Sequence, residues 1–327
     1  MKQKQLMGLA LASLLVLSGC SSTSTVKNSD GKYVLSSIDG KDILADDIYK
    51  GLAESSTGEN ALFSYVLDEL VKANFPITSE MKDNAAEIVK NIKANYTSQY
   101  SDDAEAQLES ALASSGYKDM DAYEESLVFS LQYSEFIKKY VKDNFDTVFE
   151  DYYKQENPKY MNIIKVSVAD MSNLTTDEKE KLTEVTSLLK TEKSFEEIAT
   201  EYSDDEATKS KKGSLGIVDS TSGLTDTYGE AVQTAATALK VGSKSDQIKG
   251  EDGYYFLYSS SNKKEDIKKD LTSVDVDSPL LVYDGYIHFL VFNTYELKYG
   301  NEDIEKQVKD FVADALKERE EKRGGNS

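Results

Sequence analysis

Chemistry-bearing residues are sparse in this chain of 327 residues, which has one cysteine, Cys20, one histidine, His288, and no tryptophan. A single imidazole and a single thiol are too few to assemble a zinc site or a Ser-His-Asp relay. No metal and no cofactor is therefore expected. Carboxylates are plentiful instead, 59 Asp and Glu against 38 Lys and Arg. Their clusters, Asp102-Asp103, Asp204-Asp205-Glu206 and Asp275 with Asp277, lack the EF-hand pattern, and helix caps and solvated turns account for them. Gly213 to Gly216 lacks both the lysine and the spacing of a phosphate loop. What remains is the segment SFEEIATEYSDDEATKSKKGSLG at 194–216, a short helix that dissolves into a lysine- and glycine-rich loop with Asp205 at the junction. Its chemistry depends on what flanks it.

The N-terminus gives an address. Lys2 and Lys4 precede an apolar run from Leu6 to Leu17, which ends at Leu17-Ser18-Gly19-Cys20. A basic start, a short apolar stretch and small residues before a cut describe a secretory signal at 1–19, too short for a comfortable membrane span. A lone thiol in an exported chain is either a stray cysteine, a partner for another molecule, or something else. Leu-Ser-Gly-Cys resembles the bacterial lipobox, which implies lipid attachment at Cys20. Residues 20–32 then form a lipidated, Ser- and Thr-rich tether. Removing residues 1–19 deletes two lysines and no acid, taking the net charge from −21 to −23. That charge disfavours nucleic acid as a partner and leaves the acyl chains as the membrane contact.

The elements follow from punctuation and period. Prolines occur only at 76, 158 and 279, and the first two coincide with changes of pattern. From 33 to 157 the chain reads as helical, with a turn at Asp39-Gly40 and a helix starting near Ala45. The next helix carries Phe63, Val66, Leu67 and Leu70 and stops at Pro76. Others follow at 79–95 and 102–114, the latter closed by Gly116, and the longest begins near Asp121. Its aromatic residues, among them Tyr133, Phe136 and Tyr140, read as core, with some suited to lining a groove for unfolded chain.

After Pro158 strands alternate with helices. KYMNIIKVSV is a strand, and the pairs Thr175/Glu178 and Ser194/Glu197 form capping boxes ahead of two helices. GSLGIV is a short strand, a helix is expected at 228–239, and SDQIKGEDGYYFLYS is a hairpin about Asp252-Gly253. The order is strand, helices, strand, helix, two strands over 158–262. From 263 to 327 the pattern returns to helix, ending in an amphipathic stretch with Ile304, Val308, Phe311, Val312 and Leu316 on one side. Read locally, this segment could also be a separate helical hairpin.

In residue type and spacing, F..IA.EYS.D.A.K..KG.LG, A....A.AL..G..S and DGYYFLY resemble the parvulin family of peptidyl-prolyl isomerases. The whole chain, with its lipobox, helical arm opening on IDGKDI, inserted domain and helical return, resembles PrsA-type extracytoplasmic foldases. The resemblance implies an α+β fold: a discontinuous helical domain, 33–157 plus 263–327, holding a parvulin-like insert at 158–262. It also implies that the 194–216 loop walls a proline-binding cleft. Such a catalyst needs an apolar pocket for the ring and polar groups that favour the twisted amide over the planar one.

Carried over residue by residue, Asp205 falls where the family has Asp or Cys. Asn162 and Tyr255 stand in place of its two cleft histidines. Tyr228 lies where Met is common, Val232 near the usual Phe, and Leu215 with them forms the expected substrate wall. These departures imply a weak or inactive isomerase. The expected function is a membrane-anchored chaperone or foldase for unfolded or newly exported proteins. The alternatives are an active isomerase using Asp205, Asn162 and Tyr255, and a surface lipoprotein binding a ligand or host molecule. A homodimer is compatible with any of these.

Overall fold

The computed structural model describes residues 26–53 and 55–324, so the expected leader and Cys20 lie outside the described residues. In chain order the elements begin with β1 (Val34–Ile38), β2 (Lys41–Leu44), α1 (Ala45–Ala53), α2 (Ser56–Asn74), α3 (Ser79–Tyr100), α4 (Ala104–Ser114), α5 (Met120–Asp143) and α6 (Phe145–Glu156). Then come β3 (Lys159–Ser167), α7 (Thr176–Leu188), α8 (Phe195–Tyr202), α9 (Glu206–Lys209), β4 (Ser214–Val218), α10 (Leu224–Tyr228), α11 (Glu230–Ala238), β5 (Ile248–Lys249) and β6 (Gly253–Ser261). The chain closes with α12 (Lys264–Asp270), α13 (Ile287–Phe292) and α14 (Glu302–Gly324). The fold is α+β, with a small sheet domain inserted in sequence between helical segments, as the residue pattern and the resemblance implied.

The chain divides into two compact units, one running to Phe136 and resuming at His288, the other Ile137–Ile287. In the first, Asp39 and Gly40 both take positive φ, 50° and 79°, so β1 and β2 pair antiparallel about a tight two-residue loop. Its core gathers around Phe63 of α2, whose ring lies 4.8 Å from Phe289, 5.0 Å from Phe292 and 5.3 Å from Phe311. The segments on either side of the second unit thus share one core. His288 packs its ring 4.0 Å from Phe289, in an aromatic setting. At the α2–α3 corner, the Gln132 amide of α5 donates to the Phe75 carbonyl at 2.5 Å.

In the second unit four antiparallel strands lie in the order β4-β3-β6-β5. The sheet is covered on both sides. Met161, Ile163, Tyr255 and Leu257 face Val232 and Ala236 of α11, while Ile164, Val166 and Phe256 face Val185 of α7 and Phe195, Ile198 and Ala199 of α8. Both expected capping boxes form: Glu178 accepts from the Thr175 backbone at 2.7 Å and Glu197 from that of Ser194 at 3.0 Å. The expected helix at 228–239 is interrupted. Gly229 at φ +90° ends α10 at Tyr228 and starts α11 at Glu230, because a positive φ cannot continue a right-handed helix.

Candidate functional site

The 203–215 loop reaches the sheet from α8. Ser203 accepts the Lys165 backbone N–H at 3.1 Å, and the Asp204 N–H donates to the Lys165 carbonyl at 2.8 Å, which fixes the loop's entry against β3. Asp205 caps the single turn of α9, and its Oδ2 accepts from Thr208 Oγ1 at 2.5 Å and from the Tyr228 hydroxyl at 2.9 Å. The loop's exit is fixed by Gly213, whose carbonyl accepts from the Ile163 N–H at 2.7 Å. Leu215 then packs, half-buried, against the same apolar cluster as Tyr228, Val232 and Tyr255.

Tyr228 and Tyr255 meet edge to face, with centroids 5.8 Å apart at 73°. Tyr255 is 1% exposed and Tyr228 8%. The Tyr255 hydroxyl donates to Asp252 Oδ1, and the other oxygen of Asp252 pairs with Lys165, whose ammonium lies 5.8 Å from the Tyr255 ring centroid. The structure therefore brings Asp205, Tyr228, Val232, Leu215 and Tyr255 together as one constellation: two phenols, each donating to its own carboxylate, over an apolar floor.

Asn162 is placed elsewhere. Lys165 pairs across the strands with Tyr255 and Ile163 with Leu257, so these share the face that packs on α11, whereas Asn162 pairs with Tyr258 in the alternate set. Its amide donates to the Lys212 carbonyl at 3.2 Å, bracing the loop from the far side of β3. Two participants went unread in the sequence, Lys165 and the Asp252 carboxylate. The alternation of β3 and the closeness of Asp252 to Tyr255 in sequence were the signals for them.

Electrostatics keep these phenols neutral. Burial pushes the Tyr228 hydroxyl well above the ordinary phenol range, and the Asp205 charge adds to the effect. Burial does the same to Tyr255, reinforced by its bond to Asp252. Burial works against ionisation of Asp252, but the bonds from Lys165 and Tyr255 outweigh it and hold its carboxyl below the usual value. Since both folded phenol values exceed the unfolded value of about 10, the stability they confer is complete below that pH and is lost as pH rises through the folded values. Raising the pH from about 9 to about 11 is thus expected to lower the urea midpoint. The phenolate absorbance of the folded chain should also lag that of the chain in denaturant; coincident titrations would contradict the buried pairs.

In chemical terms the constellation is bonded mainly within itself. Asp205 Oδ2 already accepts two hydroxyls, its Oδ1 lies 3.4 Å from the Ala207 N–H, and the Tyr228 ring is buried in the same apolar cluster as Val232. Among the described residues no cluster of His, Cys, Asp and Glu could hold a metal ion.

Comparison with known proteins matches residues 164–261 to the Rotamase family model, a PPIC-type PPIASE domain. The span takes in Asp205, Leu215, Tyr228, Val232 and Tyr255. Over 279 residues the chain is 27% identical to Foldase protein PrsA 2 of Bacillus cereus, covering 83% of this chain and 85% of that one. It is 26% identical over 282 residues to Foldase protein PrsA of Bacillus subtilis, covering 86% and 84%. The crystal structure of PrsA from Bacillus subtilis aligns over 84% of this chain and 98% of its own, at 23% identity and a TM-score of 0.38. Residues 164–261 thus match a PPIC-type parvulin domain, in a chain whose sequence is similar to PrsA foldases over most of its length.

Proposed function

We propose that this protein is a lipid-anchored foldase that acts outside the cytoplasmic membrane on unfolded or newly exported proteins, with its parvulin domain weak or silent as an isomerase. The observation that carries the reading is the extent of the relation. Proteins named as foldases match across both compact units, so what they share is larger than the parvulin domain. Weak isomerisation is supported by the internal bonding of the constellation: an incoming X-Pro amide would compete with the Tyr228 hydroxyl for Asp205 and meet a nearly buried ring. Among the described residues no helix is long and apolar enough to cross a membrane. The reading assigns membrane attachment to lipid on Cys20, on the strength of the Leu17-Ser18-Gly19-Cys20 run.

The test uses the chain from Ser21 onward, which retains every described residue. On a panel of X-Pro peptides its rate is expected within about twofold of the uncatalysed one, and unchanged by Asp205→Ala. In molar excess over an exported client the same protein is expected to suppress aggregation. Isomerisation far above background that falls with Asp205→Ala would make the active isomerase the better reading, and a client that aggregates regardless would remove the foldase role.

A further inference from the structure

The first unit carries a groove of about 950 Å³, walled by α5 and the corner between α2 and α3. Its floor is apolar. Ile77, just past the corner, is 51% exposed, and Val128 and the half-buried Phe129 come from α5. The Lys72 ammonium stands 5.6 Å from the Phe129 ring centroid, where Glu69 holds it at 2.9 Å, so this cation is neutralised within the wall. Lys82 also lines the groove. One turn toward the start of α5, Asp121, Glu124 and Glu125 line the same groove, and none of the three forms an ion pair among the described residues. The bond from Gln132 to the Phe75 carbonyl pins the corner to α5, so the groove is part of the packed unit.

Spacing and charge together specify an occupant. From Glu124 and Glu125 to Val128 and Phe129 is one helical turn, about 6 Å along the axis. Residues i and i+2 of an extended chain lie about 6.6 Å apart and point the same way. A peptide laid along α5 could therefore place a cationic side chain among the carboxylates and an apolar one on Val128 and Phe129 if the two are separated by one residue. We propose that this groove binds extended client segments carrying Lys or Arg, any residue, then a bulky apolar residue. The acidic lip takes the cation and the Ile77–Phe129 floor takes the apolar side chain. This assignment rests on the foldase reading and gives it a sequence preference, carried by the helical unit and independent of the parvulin cleft.

The experiment is fluorescence anisotropy of the chain from Ser21 onward with labelled peptides containing Arg-Ser-Leu-Ser-Phe, Glu-Ser-Leu-Ser-Phe or Arg-Ser-Ser-Ser-Ser. The first is expected to bind about tenfold more tightly than either of the others at low salt, with the advantage over the Glu peptide shrinking in about 0.5 M salt. In E124K/E125K, at exposed and half-exposed helix positions, the order of the Arg and Glu peptides should invert. Ile77→Ser, on an exposed loop side chain, should weaken both apolar peptides without changing their order. Equal binding of all three peptides, or an unchanged order in a folded E124K/E125K chain, overturns the proposal; if that variant unfolds, E124Q/E125Q must abolish the preference instead. An aggregation assay on the same samples separates the two readings. Client protection without peptide preference removes this groove assignment and leaves the foldase role, whereas peptide preference without protection does the reverse.

Discussion

Replacing Gly213 with alanine is expected to cost about 3 kcal/mol of stability, although it adds one methyl group. Gly213 sits at φ +76°, and a Cβ there would fall 2.5 Å from the Ile163 carbonyl oxygen and 2.8 Å from the Ala199 Cβ. The nearer obstacle is backbone in the middle of β3, and it cannot rotate aside as a side chain could. Relief would have to lengthen the Ile163 N–H to Gly213 carbonyl bond, now 2.7 Å, and so loosen the 203–215 loop at its exit. Lys212 provides the control. It also has positive φ, 59°, and the same left-handed strain. Lys212→Gly removes a strained side chain and adds unfolded-state entropy, two terms of about 1 kcal/mol that nearly cancel. Urea denaturation of the two variants should show a large drop for Gly213→Ala and little change for Lys212→Gly. Equal effects would mean that the left-handed backbone governs, and that the close approach to Ile163 does not.

The same loop shows how much of the site could be read in advance. Where the signal is local, it sufficed: Thr175/Glu178 and Ser194/Glu197 cap their helices, Asp39-Gly40 makes the first hairpin, and the spaced residues from Phe195 to Gly216 pointed to the parvulin domain. The facing of Asn162 was not legible because β3 is buried on both sides. Met161 through Ile164 are all buried, so no polar–apolar alternation marks which residues face α11 and Tyr228. Only the cross-strand register, Lys165 opposite Tyr255, settles it. The pairing of Tyr228 with Asp205 joins residues 23 apart and depends on where α10 ends, which is set by the conformation of Gly229. Hydrogen bonds of this kind are tertiary, and residue type alone does not choose between partners.

A second large effect is expected at Asp219, just past β4. Asp219→Ala should lower stability by about 3 kcal/mol, because the carboxylate serves a buried hydroxyl and two part-buried donors at once. Its Oδ2 accepts from the Tyr152 hydroxyl at 2.6 Å, while Oδ1 accepts from the Thr221 N–H at 2.7 Å and the Thr221 hydroxyl at 2.8 Å. Tyr152 has no exposed surface, so loss of its partner strands a buried hydroxyl as well as unmaking the turn. Tyr152→Phe removes the donor but leaves the carboxylate its bonds to Thr221, and should cost only about 1 kcal/mol. Because the two changes share one bond, the double variant Tyr152→Phe/Asp219→Ala should be more stable than the sum of the single losses implies. Strict additivity in urea denaturation would show that the buried phenol is satisfied without Asp219. Tyr152 lies on α6, ahead of Pro158, so the cycle also bears on where an independently folding parvulin fragment can begin. A fragment starting at 158 carries Asp219 without its tyrosine and exposes the surface Tyr152 covers, whereas one starting at 145 keeps the pair and should unfold at the higher urea concentration.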